Sequence, residues 1–316
     1  MRGLIASAAA ATSIGFVLAV PAAADPFSFT TGNPDGLIAT ASRPATAGKF
    51  EIESADDFAI TSPTLITSAT FTGLVTTTTP GITPTIGQVV VEIYEVFPNL
   101  SDVGRTSGPP TFSTPEVPTR VNSPSDVELD GRSTSDGNLT FQTKNLGAFT
   151  ANNSVQPGGI HPFPNQTTMG NGPVNGQEVE FDVTFTTPFD LPFDLPTNSG
   201  HFFFVPQVQV TDGEFLWLSG TRPLIPSPFP PGVTDLQEWT RDDISPNNLA
   251  PDWLRVGTDI VGPINGVTPT FNAAFSLNGV TVPEPASLSL LGAALVGMGL
   301  FGRRGRRNQT SAPTST

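Results

Sequence analysis

The chain has 316 residues and a formal net charge of −14, from 28 acidic against 14 basic residues, and a field of that sign repels nucleic-acid phosphates and anionic membranes. It contains no cysteine, which excludes disulfides and thiolate metal or redox centres. Its 31 Gly and 33 Pro would suit a disordered chain, but 23 Phe and 3 Trp supply the apolar surface that disordered chains lack.

At the N-terminus, Arg2 gives a positive start, Leu4 to Val20 is small and apolar, and Ala22-Ala23-Ala24 offers an A-x-A site. These are the three parts of a secretory signal peptide, residues 1–24, taken by the secretory translocon and cut by signal peptidase after Ala24. An uncleaved N-terminal anchor is the alternative. Residues 25–282 then form the exported part. It carries 9 of the 14 basic and 27 of the 28 acidic residues, a net charge of −18.

Period-2 alternation bounded by Gly, Pro, Asn or Asp marks the strands. Short candidates lie at Asp57 to Ile60 and Leu139 to Phe141. Ile66 to Val75 and Gln88 to Phe97 form a first pair, joined by a Pro-bearing linker, Thr76 to Gly87, that can cross between sheets. Glu178 to Phe185 alternates without a break, and His201 to Val205, Val208 to Val210, Glu214 to Leu218, Trp253 to Val256 and Phe271 to Leu277 follow. The one helical candidate is Asp235 to Arg241, with Leu236 and Trp239 three apart. Pro98 to Pro124 and Thr150 to Gly176 have weak periodicity and read as long loops or insertions. Eight to ten strands with irregular connections predict an all-β domain, a two-sheet β-sandwich or jelly roll with long loops.

At the C-terminus, Pro283-Glu284-Pro285 precedes an apolar run from Ala286 to Phe301, then Arg303, Arg304, Arg306 and Arg307, with a polar tail over 308–316. A short apolar helix closed by arginines stops in a membrane with the basic cluster on the cytoplasmic side. Sixteen residues are slightly short for a permanent span of a ~30 Å hydrocarbon core, which suits transient insertion in the inner membrane. A simple retained anchor and a buried core helix are the alternatives, the latter opposed by the cost of desolvating four arginines. Val282-Pro283-Glu284-Pro285-Ala286-Ser287, the Leu/Gly/Ala-rich helix and Gly302-Arg303-Arg304 together resemble the PEP-CTERM sorting signal, here over 283–307, of Gram-negative bacteria that make extracellular polysaccharide. The resemblance implies an exosortase-type enzyme that cuts near Pro283-Glu284-Pro285. Family members usually end soon after the basic cluster, and the nine residues from Asn308 depart from that pattern.

The region between the two ends also resembles PEP-CTERM proteins of unknown activity, on Ala55-Asp56-Asp57-Phe58, Val91-Glu92-Ile93-Tyr94, Arg120-Val121-Asn122-Ser123-Pro124, the Phe-rich His201 to Val205, Phe215-Leu216-Trp217-Leu218-Ser219 and Pro251-Asp252-Trp253-Leu254-Arg255-Val256. That resemblance implies compartment and a β fold and transfers no catalytic residue.

Catalytic chemistry finds little purchase. His161 and His201 show no H-x-H or H-x-x-x-H spacing, so a transition-metal site would need carboxylates to complete it, and a loop or strand-edge histidine is the simpler reading. There is no G-x-S-x-G elbow. Paired carboxylates for glycoside hydrolysis depend on separation in the fold, which sequence does not give. The chain reads as a non-enzyme without a cofactor. For structural Ca²⁺, Asp56-Asp57, Asp242-Asp243 and above all Asp126, Glu128 and Asp130 offer hard oxygen ligands; the last three share one face if their segment is extended. Trp239 and Trp253 are candidate platforms for stacking on sugars, whereas Trp217 alternates on the face of Phe215 and belongs to the core. The expected product is an exported surface or matrix protein, structural or adhesive among extracellular polysaccharide, with a carbohydrate-binding or carbohydrate-active β-sandwich as the alternative.

Overall fold

A computed structural model describes residues 24–101, 122–160, 167–193, 200–221, 229–242 and 253–282. The signal segment up to residue 23, His161 and the sorting segment from Pro283 onward, with its expected transmembrane helix, lie outside the described residues. Among the described residues no helix is long and apolar enough to cross a membrane.

Asp25–Val282 is one compact unit built from strands. In chain order these are β1 (Pro26–Thr30), β2 (Pro34–Ala41), β3 (Ile52–Ala59), β4 (Thr64–Val75), β5 (Thr85–Glu95), β6 (Asp130–Ser133), β7 (Leu139–Ala151), β8 (Ser154–Val155), β9 (Val174–Leu191), β10 (His201–Thr211), β11 (Phe215–Gly220), β12 (Trp239–Asp242), β13 (Leu254–Arg255) and β14 (Phe275–Thr281). The larger sheet runs β1-β14-β4-β11-β2-β8, with β9 also on β4 and β7 on β9. The smaller runs β13-β12-β3-β10-β5-β6. All pairings are antiparallel except β2 with β8. The linker between β4 and β5 does cross from one sheet to the other.

Alternation decides which side chains meet. On β9, Val179, Phe181, Val183 and Phe185 turn to the core while Glu178, Glu180, Asp182 and Thr184 face outward, the pattern of a sheet with one wet face. On β10, Phe202, Phe204 and Val208 enter the main core, and Phe203 and Val205 enter a second cluster on the other face. Phe204 reaches across to the larger sheet, with ring centroids 5.1 Å from Phe275, 6.0 Å from Trp217 and 6.3 Å from Phe71. Such ring pairs add roughly 0.5–1.5 kcal/mol each beyond the area they bury. Trp217 and Phe215 share that core, while Leu216 and Leu218 fill a third cluster.

The helical expectation at Asp235 to Arg241 is corrected. Gln237 has φ +69°, outside right-handed helical space; its N–H bonds back to Asp235 Oδ1 at 2.9 Å, and the chain then extends into β12. Leu236 and Trp239 still meet in one cluster, because a turn followed by a strand brings them to the same face. Trp253 to Val256 also yields less strand than alternation suggests: β13 has two residues, and one π-helical turn, Val256–Val261, follows. Within Thr150 to Gly176, expected as loop, β7 persists to Ala151 and β9 begins at Val174. β1, β2, β6 and β8 were not anticipated.

Candidate functional site

The outer face of the smaller sheet concentrates charge. Glu53 on β3 and Arg241 on β12 are directly opposed in register, and both are buried. Arg241 Nε donates to Glu53 Oε2, its Nη2 donates to the Tyr94 hydroxyl at 3.0 Å, and its Nη1 to the Asp126 carbonyl at 3.0 Å. The guanidinium lies 4.3 Å from the Trp253 ring centroid and 5.2 Å from that of Tyr94, a buried cation between two aromatic faces.

Tyr94 on β5 carries the network onward. Its hydroxyl lies 2.7 Å from Glu53 Oε1 and 3.1 Å from Glu92 Oε2, so its single proton serves one carboxylate at a time. Burial raises Glu53, but the Arg241 charge and the bonds from Arg241 and Tyr94 outweigh it and hold the carboxyl below its ordinary value. Burial, then the Glu53 charge beside it, push Glu92 up to about 9. Tyr94 is driven well above the usual phenol range by burial and by Glu53. Arg241, although burial opposes its charge, is held above its ordinary value by Glu53.

Glu51, Glu53 and Glu92 each bring a carboxylate oxygen within 4.8 Å of the other two. Among the described residues this is the group of acids so converged. Asp126, Glu128 and Asp130 are placed differently. Bends at 126, 127 and 129 break the extended geometry that would align them, and Asp130 is engaged by Arg132, at 2.5 Å from Nη1 and 2.7 Å from Nη2. Glu128 alone adds its field to Glu92. Of the other acid pairs, Asp56 accepts the Ala273 N–H at 2.9 Å and Asp57 meets His201; Asp243 lies outside the described residues.

The tryptophans proposed as sugar platforms are buried. Trp239 is 0 % and Trp253 3 % exposed. Arg255 stacks over Trp239 at 4.6 Å and Arg241 over Trp253, while the indole N–H groups bond to the Leu236 and Ser125 carbonyls at 3.0 and 2.8 Å. Neither ring offers a face to a pyranose in this fold.

His201 is likewise not a strand-edge or loop residue. It opens β10 between β3 and β5, and its Nε2 lies 2.5 Å from Asp57 Oδ2, a diagonal cross-strand partner that sequence spacing did not reveal. Asp57 Oδ1 accepts the Gln237 N–H at 3.1 Å. Among the described residues no serine or threonine hydroxyl joins this pair.

Sequence reasoning also missed Glu238, 1 % exposed, whose two carboxyl oxygens find no hydrogen-bond partner among the described residues. Burial pushes it up to about 8, against the nearby Thr40 hydroxyl and with a further push from Asp35. On the larger sheet, a groove of about 330 Å³ is lined by Thr30, Asn33, Thr72, Glu178, Glu180 and Ser276 among others. Burial and the neighbouring Glu180 raise the Glu178 carboxyl.

The sorting residues Ala22, Pro283, Glu284, Pro285, Arg303 and Arg304 lie outside the described residues. Ala24 is described and exposed. No curated protein and no solved structure matches the chain. Residues 281–307 match the family model of the PEP-CTERM protein-sorting motif. The chain therefore carries a PEP-CTERM protein-sorting motif at its C-terminal end, a motif that implies export, processing by exosortase and sorting to the cell surface in bacteria.

Proposed function

We propose that the β unit is a non-enzymatic structural or adhesive protein of the cell surface, delivered by transient insertion in the inner membrane of a Gram-negative bacterium and retained in extracellular polysaccharide. The observation that carries the reading is where the sorting motif begins. The motif starts at residue 281, where β14 ends, and the Val282 N–H bonds to the Pro63 carbonyl at 2.7 Å. A cut near Pro283-Glu284-Pro285 leaves every strand of the unit whole. The outward face of β9 and β4, with Glu178, Glu180, Asp182, Thr70 and Thr72, supplies donors and acceptors suited to a hydroxyl-rich polymer.

Intact mass and terminal sequencing of the protein from membrane, surface and medium fractions of its host test this. The expected product begins at Asp25, ends near Pro283 and sediments with the polysaccharide. A product that keeps Arg303 and Arg304 in the membrane fraction would make the protein a tethered periplasmic one.

A carbohydrate-active reading is favoured by one observation, the groove that holds Glu178 and Glu180. Two carboxyls in one groove are what acid/base cleavage of a glycoside needs. Release of reducing ends from host polysaccharide, abolished in Glu178→Gln, would establish it; no release leaves the adhesive reading.

A further inference from the structure

We propose that the groove on the larger sheet binds an amino-sugar unit of a polysaccharide, with Glu178 facing its ammonium and Thr72 and Ser276 its ring hydroxyls. The site deepens, and rests on, the reading that the protein is retained in extracellular polysaccharide.

The groove is built on strands. Ser276 on β14 pairs with Thr70 on β4, Thr70 with Asp182 on β9, and Thr72 with Glu180. Alternation turns these side chains to the outer face while Phe71 and Phe181 stack in the core at 4.9 Å, so hydrogen-bonded backbone fixes the floor before any ligand arrives. Its volume of about 330 Å³ is at the lower end of the roughly 300–1,000 Å³ usual for small-molecule sites, room for a short saccharide. Leu146, exposed at the groove, offers an apolar patch to the C–H face of a sugar ring.

Thr72 points to a ligand. It is only 6 % exposed, and its hydroxyl, like that of Ser276, bonds to no described residue. The neighbouring hydroxyls of Thr70 and Thr30 are taken, by Asp182 at 3.1 Å and by the Phe275 carbonyl at 3.4 Å. A hydroxyl so enclosed and left without a partner costs about 1–3 kcal/mol. The groove that Thr72 lines is the side from which a partner can come.

Charge selects the sugar. Glu180 is paired with Lys144 at 3.4 Å, but Glu178 has no ion pair among the described residues. Burial and the Glu180 charge raise its carboxyl, a penalty that an ammonium in the groove would relieve. Uronic acids meet repulsion from the same carboxylates and from the net negative charge of the exported part. Two carboxyls fall short of the about six to eight oxygens of a calcium site.

The test uses the exported protein recovered from its host, titrated by calorimetry below neutral pH with a β-linked glucosamine oligomer, its N-acetylated counterpart and a glucuronic acid oligomer. The glucosamine oligomer is expected to bind one per chain, at least about tenfold tighter than the N-acetylated one, and more weakly as salt is raised. Glu178→Gln should bring the two to equal affinity. Thr72→Val, which keeps the shape of the side chain, should weaken both by roughly three- to tenfold, and Asp190→Asn, farther along β9, should change neither. A folded Glu178→Gln that keeps the preference overturns the site, as does wild-type protein that binds the two oligomers equally, binds neither, or binds the glucuronic acid oligomer more tightly. If Glu178→Gln does not fold, Thr72→Val carries the test, and unchanged affinity there overturns the site. The surface reading fails separately: protein that binds the glucosamine oligomer yet fractionates away from host polysaccharide keeps the site and removes that reading, whereas protein that sediments with the polysaccharide without binding the oligomer does the reverse.

Discussion

Two buried ionisable groups at the residue scale make opposite predictions. Arg241 compensates Glu53 in a place where both are more than nine-tenths buried. Arg241→Met should cost about 3–5 kcal/mol because it strands the carboxylate, and guanidinium unfolding measures it; adding Glu53→Gln to that variant should recover part of the loss. Glu238 has no such partner and keeps its proton up to about 8 rather than 4.5. The folded state therefore holds a proton that the unfolded state gives up earlier. The stability it confers is complete below about pH 4.5 and declines until about pH 8. Glu238→Gln should remove that decline and gain on the order of 1–3 kcal/mol at pH 8.5; parallel melting profiles for variant and wild type between pH 5 and 9 would refute this. Little at this scale was legible in the sequence. Glu53, Glu92 and Arg241 come from three distant segments, and only register on the sheet makes them neighbours.

Whole strands were more legible, because their signal is local. The unbroken polar/apolar alternation of Glu178 to Phe185 became the middle of β9, and Phe215-Leu216-Trp217-Leu218 became β11 with its faces assigned correctly. Pro34–Ala41 escaped notice since β2 is buried on both faces toward its end and shows no alternation. Trp239 misled for another reason: a spacing of three is as compatible with a turn and strand as with a helix, and the positive φ at Gln237 has no signal in side-chain hydropathy. Close approach of β4 and β11 depends on Gly73, where an added Cβ would stand 2.3 Å from the Phe215 ring and 2.7 Å from the Leu216 carbonyl. Gly73→Ala should destabilise by about 1–3 kcal/mol through overpacking, read as a lower urea midpoint with unchanged slope.

For the molecule as a whole, the first and last strands are neighbours. β1 and β14 pair from Pro26↔Val280 to Thr30↔Ser276, and Asp25 and Thr281 exchange backbone and hydroxyl bonds. The exported unit is therefore closed by its own ends. A chain ending at Val282 should unfold in one cooperative transition, whereas one ending at Asn278 loses the Gly279, Val280 and Thr281 pairings with β4 and should melt lower by calorimetry; equal melting would contradict the closure. The sorting motif was readable in the sequence, since processing enzymes recognise linear chemistry. How the two sheets meet was not, because Phe204 finds Phe275 and Trp217 only after the chain has folded. β14 also lies between β1 and β4 along its length, with its C-terminal end leading toward the sorting segment. A tug on that end along the strand axis must slide β14 past both neighbours at once, loading their hydrogen bonds in shear rather than opening them one by one.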